Sequence, residues 1–358
     1  MRGGFCFLQT RKACGFAAAC FVVVLLCAGC GTNTAQRSAV PGGSTGSAGT
    51  ATASQPILGY TWDSSRGGLR TMLGVPGAAT VSDSLVSTGP FTSASFCLRK
   101  SYVLLTNSSG SVYIMSLPNG EPSLLTSPLA NQQVVVSPSC SKALVYTRGG
   151  STGVLIGGLP STPEMERLNF AVPGSVAGAA VGDSGDVALA VLRSDGSTAI
   201  QILSSSGSLS APLTVLQTYG AMTFVPGGDT VVAGDSGANR VVMVSHPSTN
   251  PTVALLASSA DGVSQPLAIA SSADGREAFV ANAVGMPLLR LNLASTSAPT
   301  KVPCTCRPSE LIPLSGNALF QVSDLASGTI YALDGAPAVP RTLFIPASSS
   351  ASLSGAAR

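Results

Sequence analysis

Between Pro56 and Pro346 the chain is a succession of short Val-, Leu- and Ala-rich runs broken by Gly, Ser, Asp and Pro. A polar turn recurs within it about every 43 residues. Together these observations predict an all-β fold, a β-propeller of about seven four-stranded blades. A third observation sets its context: a basic and then apolar leader, followed by a polar tether, precedes the body. The organisation expected is a leader over 1–29, a tether over 30–55, the propeller over 56–346 and a loose tail over 347–358.

The leader carries Arg2, Arg11 and Lys12 and then the 17-residue run ACGFAAACFVVVLLCAG, residues 13–29. A spanning helix needs about 20 apolar residues, so the run is short for one. A positive start, an apolar centre and small residues before a break are the layout of a secretory signal. Cys27-Ala28-Gly29-Cys30 resembles a bacterial lipobox, usually Leu-Ala-Gly-Cys; the usual Leu stands one place further back, at Leu26. The resemblance implies that the Cys30 sulfur receives a diacylglycerol, that cleavage falls before it and that the new amino terminus is acylated. Several chains together give stable anchoring where one is marginal. Gly31, where Asp would retain the protein, implies export to the outer membrane of a Gram-negative cell envelope. The alternatives are an uncleaved anchor or, with no further ligands at suitable spacing, half of a metal site.

The leader holds three of the 19 basic residues and no acid, so the remainder carries 16 of each sign. A net charge near zero argues against a nucleic-acid footprint and against electrostatic docking on a membrane. Residues 31–55 are almost all Gly, Ser, Thr and Ala and bury no core. Twenty-five such residues make a tether of about 25–30 Å.

Within the body, VVSPSCSKALVYT (135–147), AAVGDSGDVALAVL (179–192), MTFVPGGDTVVAGD (222–235), IASSADGREAFVAN (269–282) and LIPLSGNALFQVS (311–323) share one plan. A strand ends, small polar residues turn the chain, and an alternating strand follows. The turn residues align as Ser141, Gly185, Gly228, Gly275 and Gly316, spaced 44, 43, 47 and 41. Glycine suits a tight turn that needs positive φ. A further strand follows each, as in STAIQILS, NRVVMVS, PLLRLNLA and GTIYALD. Residues 95–117 add an earlier unit with Arg99-Lys100 at its turn, and 57–73 supply the first blade. RTLFIP (341–346) is the segment expected to close the ring against that first blade. An irregular sandwich or a solenoid is the alternative.

Phe279-Val280-Ala281-Asn282, after the turn Ser272-Ala273-Asp274-Gly275, resembles the propeller repeat named for Tyr-Val-Thr-Asn. GDSGANRVVMV (234–244) is similar to the NHL-type repeat. These resemblances imply fold more than function, because one propeller frame hosts many activities.

Beyond Cys30 the body holds Cys97, Cys140, Cys304 and Cys306, which allow three pairings. Cys97 and Cys140 stand one repeat apart before comparable strands, while Cys304–Cys306 would close a tight and labile loop; free thiols are the alternative. GDSG occurs at 182–185 and 234–237 and is similar to a trypsin-like nucleophile loop, but the single histidine, His246, lies downstream of both. Asp and Ser capping their own backbone explain both copies as turns. Asp63, Asp183, Asp186, Asp235, Asp261, Asp274 and Glu277 are the acids a channel-bound metal would need, with Asn239 and Asn282 beside them. The turn contexts of most of the acids point instead to solvated turns, and Asn239 and Asn282 to turn or inter-blade hydrogen bonds. Trp62 near Tyr60 reads as core.

The expectation is a lipid-anchored, monomeric binding or assembly module with no catalytic residue, cofactor or metal site assigned. Its partners would be the membrane through Cys30 and a protein or small molecule on the propeller face, with no nucleic acid. The alternative is an extracytoplasmic propeller hydrolase or lyase with a metal in the central channel. That reading requires three or more acids, Asn or His from different blades at one end of the channel.

Overall fold

The computed structural model describes residues 55–347, apart from 128, 130, 131, 286, 287, 296 and 328. Cys30, the leader, the tether up to residue 54 and the tail from 348 lie outside the described residues. The chain forms seven antiparallel sheets arranged as the blades of a propeller. Blades two to seven have four strands each, and blade one has three, Ile57–Asp63, Gly68–Val75 and Ala78–Thr88. The innermost strands of the other blades are Phe91–Cys97, Gln132–Val136, Ser175–Val181, Tyr219–Phe224, Pro266–Ser271 and Ile312–Pro313.

Each blade is sandwiched between two others, so its middle strands are apolar on both faces. In blade four the second and third strands, Val187–Leu192 and Thr198–Leu203, are buried almost throughout. Near-continuous apolar runs such as VALAVL follow from that double burial. The outermost strand of blade three, Glu164–Asn169, meets solvent and is nearly all exposed.

Seven apolar clusters lie one at each junction of adjacent blades. Ala180 and Ile200 of blade four pack with Phe224 and Val231 of blade five. At the closing junction, Leu58, Met72 and Val81 of blade one pack with Leu314, Leu319, Ile330 and Ile345 of blade seven. Tyr60 and partly buried Trp62 pack between blades one and two, against Val103 and Leu105. Trp62 is therefore a core residue, although its Nε1 has no hydrogen-bond partner among the described residues.

Ring closure meets the expectation in part. Residues Arg341–Ile345 pair with Ile330–Asp334 as the outermost strand of blade seven. The segment meets blade one through Ile345 in the apolar junction and through Pro346, whose carbonyl accepts the Val81 N–H at 3.0 Å; Ala347 adds a single parallel bridge to Val81, and Ser315 N–H donates to Leu58 O at 2.9 Å. The reason is physical. Blade seven is already complete from consecutive strands, so packing rather than a shared strand closes the ring.

The turn joining a blade's innermost and second strands, the inner turn, repeats one hydrogen-bond pattern. In blade four Gly182 N–H donates to Asp186 O at 2.8 Å and Gly185 N–H to Gly182 O at 3.0 Å. Blade five uses Val225, Thr230 and Gly228, and blade six Ser272, Glu277 and Gly275. In blade three the corresponding residues are Ser137, Lys142 and Cys140, so Cys140, not Ser141, occupies the turn position. Cys140 adopts φ 62°, where Gly185 has φ 99°. A left-handed non-glycine residue is uncommon, and here the side chain is tied down. Cys140 is joined by a disulfide to Cys97 of blade two, with Cα atoms 5.7 Å apart. The Tyr102 hydroxyl also donates to the Cys140 carbonyl at 2.9 Å.

A crosslink spanning 43 residues restricts the unfolded chain by about 4 kcal/mol in the chain-entropy model. The double variant Cys97→Ser/Cys140→Ser is expected to melt roughly 5–15 °C below the parent by calorimetry. An unchanged melt would show that the bond contributes nothing to the ring.

Candidate functional site

The innermost strands enclose a cavity of about 370 Å³ that runs to the face carrying the inner turns. Its walls include Ala94, Val135, Ala180, Met222, Ile269 and Ile312, one from each of blades two to seven. Such side chains are what a strand must offer where both its faces are enclosed. Three of the four hydroxyls in the wall donate to backbone, and the fourth, Ser137 Oγ, accepts the Lys142 N–H. Ser95 Oγ donates to Val134 O at 3.3 Å, Thr223 Oγ1 to Phe224 O at 3.1 Å and Ser271 Oγ to Phe224 O at 3.4 Å. No Asp, Glu or His lines the cavity. Its one charged side chain is Arg99, exposed on the short 3-10 turn Leu98–Lys100 at the mouth, opposite Asn317 of blade seven.

The acids singled out in the sequence hold the frame together. Asp235, wholly buried, accepts the N–H groups of Gln217, Thr218 and Ala238 at 3.0, 3.1 and 3.1 Å and Arg240 Nε at 3.0 Å. Burial alone would raise its carboxyl. The three N–H donors and the guanidinium outweigh it and hold the carboxyl below the ordinary range. Asp63 behaves alike, its burial outweighed by Ser65, the Arg66 N–H and Arg70. Asn282 accepts the Ser264 N–H at 3.0 Å and donates to Gly262 O, the place in blade six that Asp235 fills in blade five.

Asp183 accepts the Ser139 N–H at 2.8 Å and thereby links the inner turns of blades three and four. Asn317 does the same for Asp274 N–H at 2.8 Å between blades seven and six. Asp186 accepts from Ser205 N and Ser248 Oγ, Asp261 caps Ser258, Glu277 faces Arg290 at 3.6 Å, and Asn239 Oδ1 accepts the Gln265 N–H. His246 Nδ1 pairs with exposed Asp229; no serine hydroxyl among the described residues bonds to it. Neither GDSG is therefore part of a triad.

The structure joins Cys304 to Cys306, both buried between blades six and seven with Phe279 and Phe320. Two features escaped the sequence. Arg99 was legible only as a turn residue, and nothing local marks Glu310, Gln321 and Asp324 as neighbours. Burial, with the like charge of Asp324 adding to it, pushes the Glu310 carboxyl up to about 7 against the opposing effect of the Gln321 hydrogen bond. Among the described residues no three His, Cys, Asp or Glu side chains converge as a metal set.

Several solved structures share the fold. A functionally unknown protein from Desulfotomaculum acetoxidans aligns at TM-score 0.55 and 12% identity, over 82% of this chain and all of its own. A putative 6-phosphogluconolactonase from Bacteroides fragilis aligns at 0.55 and 12%, over 83% of this chain and 95% of its own. A catalytically inactive virginiamycin B lyase from Staphylococcus aureus, solved with quinupristin, aligns at 0.53 and 12%, over 74% and 88%. At such identity the likeness is one of fold. No family model and no curated protein sequence matches the chain.

Asp235→Asn would turn an amide N–H₂ toward the Gln217 N–H and Arg240 Nε donors. The expected cost is about 2–4 kcal/mol at neutral pH by denaturant titration. Because the Asp235 carboxyl is held low, its stabilisation is present above the ordinary carboxylate range and disappears as pH falls through the depressed value. The parent's melting temperature should therefore fall with acid more steeply than the variant's; parallel profiles would refute this role for Asp235.

Proposed function

We propose that this chain is a lipid-anchored, extracytoplasmic binding propeller whose channel takes a small ligand with an apolar body and one acidic group. The observation that supports it is the channel wall: apolar side chains and backbone-bonded hydroxyls, with Arg99 as the one charge at the mouth. Arg99 makes no hydrogen bond or ion pair among the described residues, so its guanidinium is available to an anion. A hydrolase or lyase would require acids, His or metal donors converging there, and the lining supplies none. The resemblance of residues 27–30 to a lipobox supports the anchor at Cys30, and the tether would set the propeller off the outer-membrane surface.

A suitable probe is 1-anilinonaphthalene-8-sulfonate, an apolar sulfonate, titrated at neutral pH into the native protein. Saturable fluorescence at one site per chain is expected. Arg99→Glu, a change at an exposed position, should weaken it roughly fivefold to twentyfold. Absence of saturation, or equal binding by the variant, would overturn the ligand assignment.

The anchor is tested separately, by metabolic labelling with palmitate in a Gram-negative host. The parent should carry label and sediment with outer membranes, and Cys30→Ser should lose the label. Equal labelling of the two would overturn Cys30 as the acylated residue.

A further inference from the structure

The channel wall draws on six blades, and no residue of blade one lines it. The strand order of blade one explains this. The Leu58 carbonyl, near the start of Ile57–Asp63, accepts the Ser315 N–H from the inner turn of blade seven at 2.9 Å. The strand therefore begins on the inner-turn face and runs away from it, as second strands do. It ends on Asp63, which accepts the Ser65 and Arg66 N–H groups and, at 3.3 Å, Arg70 Nη1 of the next strand. Asp235, at the end of the second strand of blade five, accepts the Ala238 N–H and Arg240 Nε in the same way. Among the described residues, blade one thus has a second, a third and an outermost strand but no innermost one.

Blades two and seven meet where that strand would stand. A Cβ placed on Gly59 would lie 2.6 Å from Leu314 Cδ2 and 3.4 Å from Leu98 Cδ1, so the two leucines sit side by side. Arg99 follows one of them and Gly316 stands two places after the other; both are exposed and line the cavity. With the innermost strand goes its inner turn, and with that turn an acceptor. In blade six the N–H groups of Ala273 and Asp274 donate to the main chain and the side chain of Asn317 in blade seven. In blade seven Ser315 and Gly316 hold those two places. Ser315 finds Leu58 O, but the Leu58 side chain is apolar and packed in the junction. The Gly316 N–H has no acceptor among the described residues. An uncommitted guanidinium and an unspent main-chain donor therefore flank the same mouth.

We propose that Arg99 and the Gly316 N–H together hold the acid group of the channel ligand, and that this group is a carboxylate with a single charge. The assignment rests on the channel reading above and narrows its ligand to an apolar monocarboxylic acid. One carboxylate oxygen meets the guanidinium and the other the N–H. A phosphate ester carries about −1.5 to −2 charge at neutral pH. The lining offers one cation against it, since Lys100 Nζ is spent on Leu159 O at 3.0 Å. An anionic oxygen left unpaired at a partly enclosed mouth is costly.

Naphthalene-1-acetate, naphthalene-1-acetamide and 1-naphthyl phosphate share one apolar body. They are compared as displacers of 1-anilinonaphthalene-8-sulfonate from the native protein at neutral pH. The carboxylate is expected to bind at least about tenfold more tightly than either of the others. Arg99→Glu should remove most of its advantage over the amide. In the ¹⁵N–¹H spectrum the carboxylate should move the Gly316 amide downfield. Gly185, Gly228 and Gly275, whose N–H groups bond within their own turns, should stay nearly in place. Saturable, Arg99-dependent dye binding with equal displacement by all three compounds, a preference for the phosphate, or an unmoved Gly316 would overturn this inference and leave the channel reading standing. No saturable dye binding would overturn both.

Discussion

The whole molecule depends on burying both faces of every blade. A four-stranded sheet of this composition has no polar face to show water, and each junction holds a cluster contributed by two blades. A blade at a free end would expose one such cluster. The ring must therefore close, and it does so where Leu58, Met72 and Val81 meet Leu314, Ile330 and Ile345. That packing tolerates a three-stranded first blade and is supplemented by a few hydrogen bonds, from Val81 N–H to Pro346 O and from Ser315 N–H to Leu58 O, and by the bridge from Ala347. The disulfide between Cys97 and Cys140 works in the same direction, since it crosslinks two neighbouring blades at the channel wall.

The same constraint decides where chemistry can sit. Most acids are consumed in holding turns and crossing loops, as Asp235 and Asp183 show. The channel receives the apolar inner faces of the innermost strands, with backbone-bonded hydroxyls between them. Polar groups that remain uncommitted are few and informative. Arg99 stands at the mouth on the inner-turn side.

Blade architecture was legible because double burial and a repeated turn leave marks every 43 or so residues. Gly185, Gly228 and Gly275 mark the inner turn, since each takes positive φ there. The same signal misplaced blade three by one residue, because Cys140 holds that conformation without glycine. Residues 341–346 do lie against the first blade, but that 341–345 pair within blade seven was not legible, because an outermost strand and a closing strand look alike in sequence. The acids in turn contexts read as solvated turns, whereas Asp63 and Asp235 are buried, because the arginines and loop N–H groups that pair with them come from positions no local pattern marks. Arg99 and the Glu310–Gln321 pair were not legible either, because their meaning comes from residues brought together across blades or across a loop. Gln321 lies 11 positions from Glu310 and shares no motif with it.

The central claim is that the inner-turn mouth of the channel is the working face. Hydrogen–deuterium exchange with and without 1-anilinonaphthalene-8-sulfonate tests it most directly. Slower exchange confined to the inner turns around Leu98–Lys100, residues 137–142 and residues 314–319 is the result this account predicts. Protection on the outermost strands instead, with those turns unchanged, would contradict it.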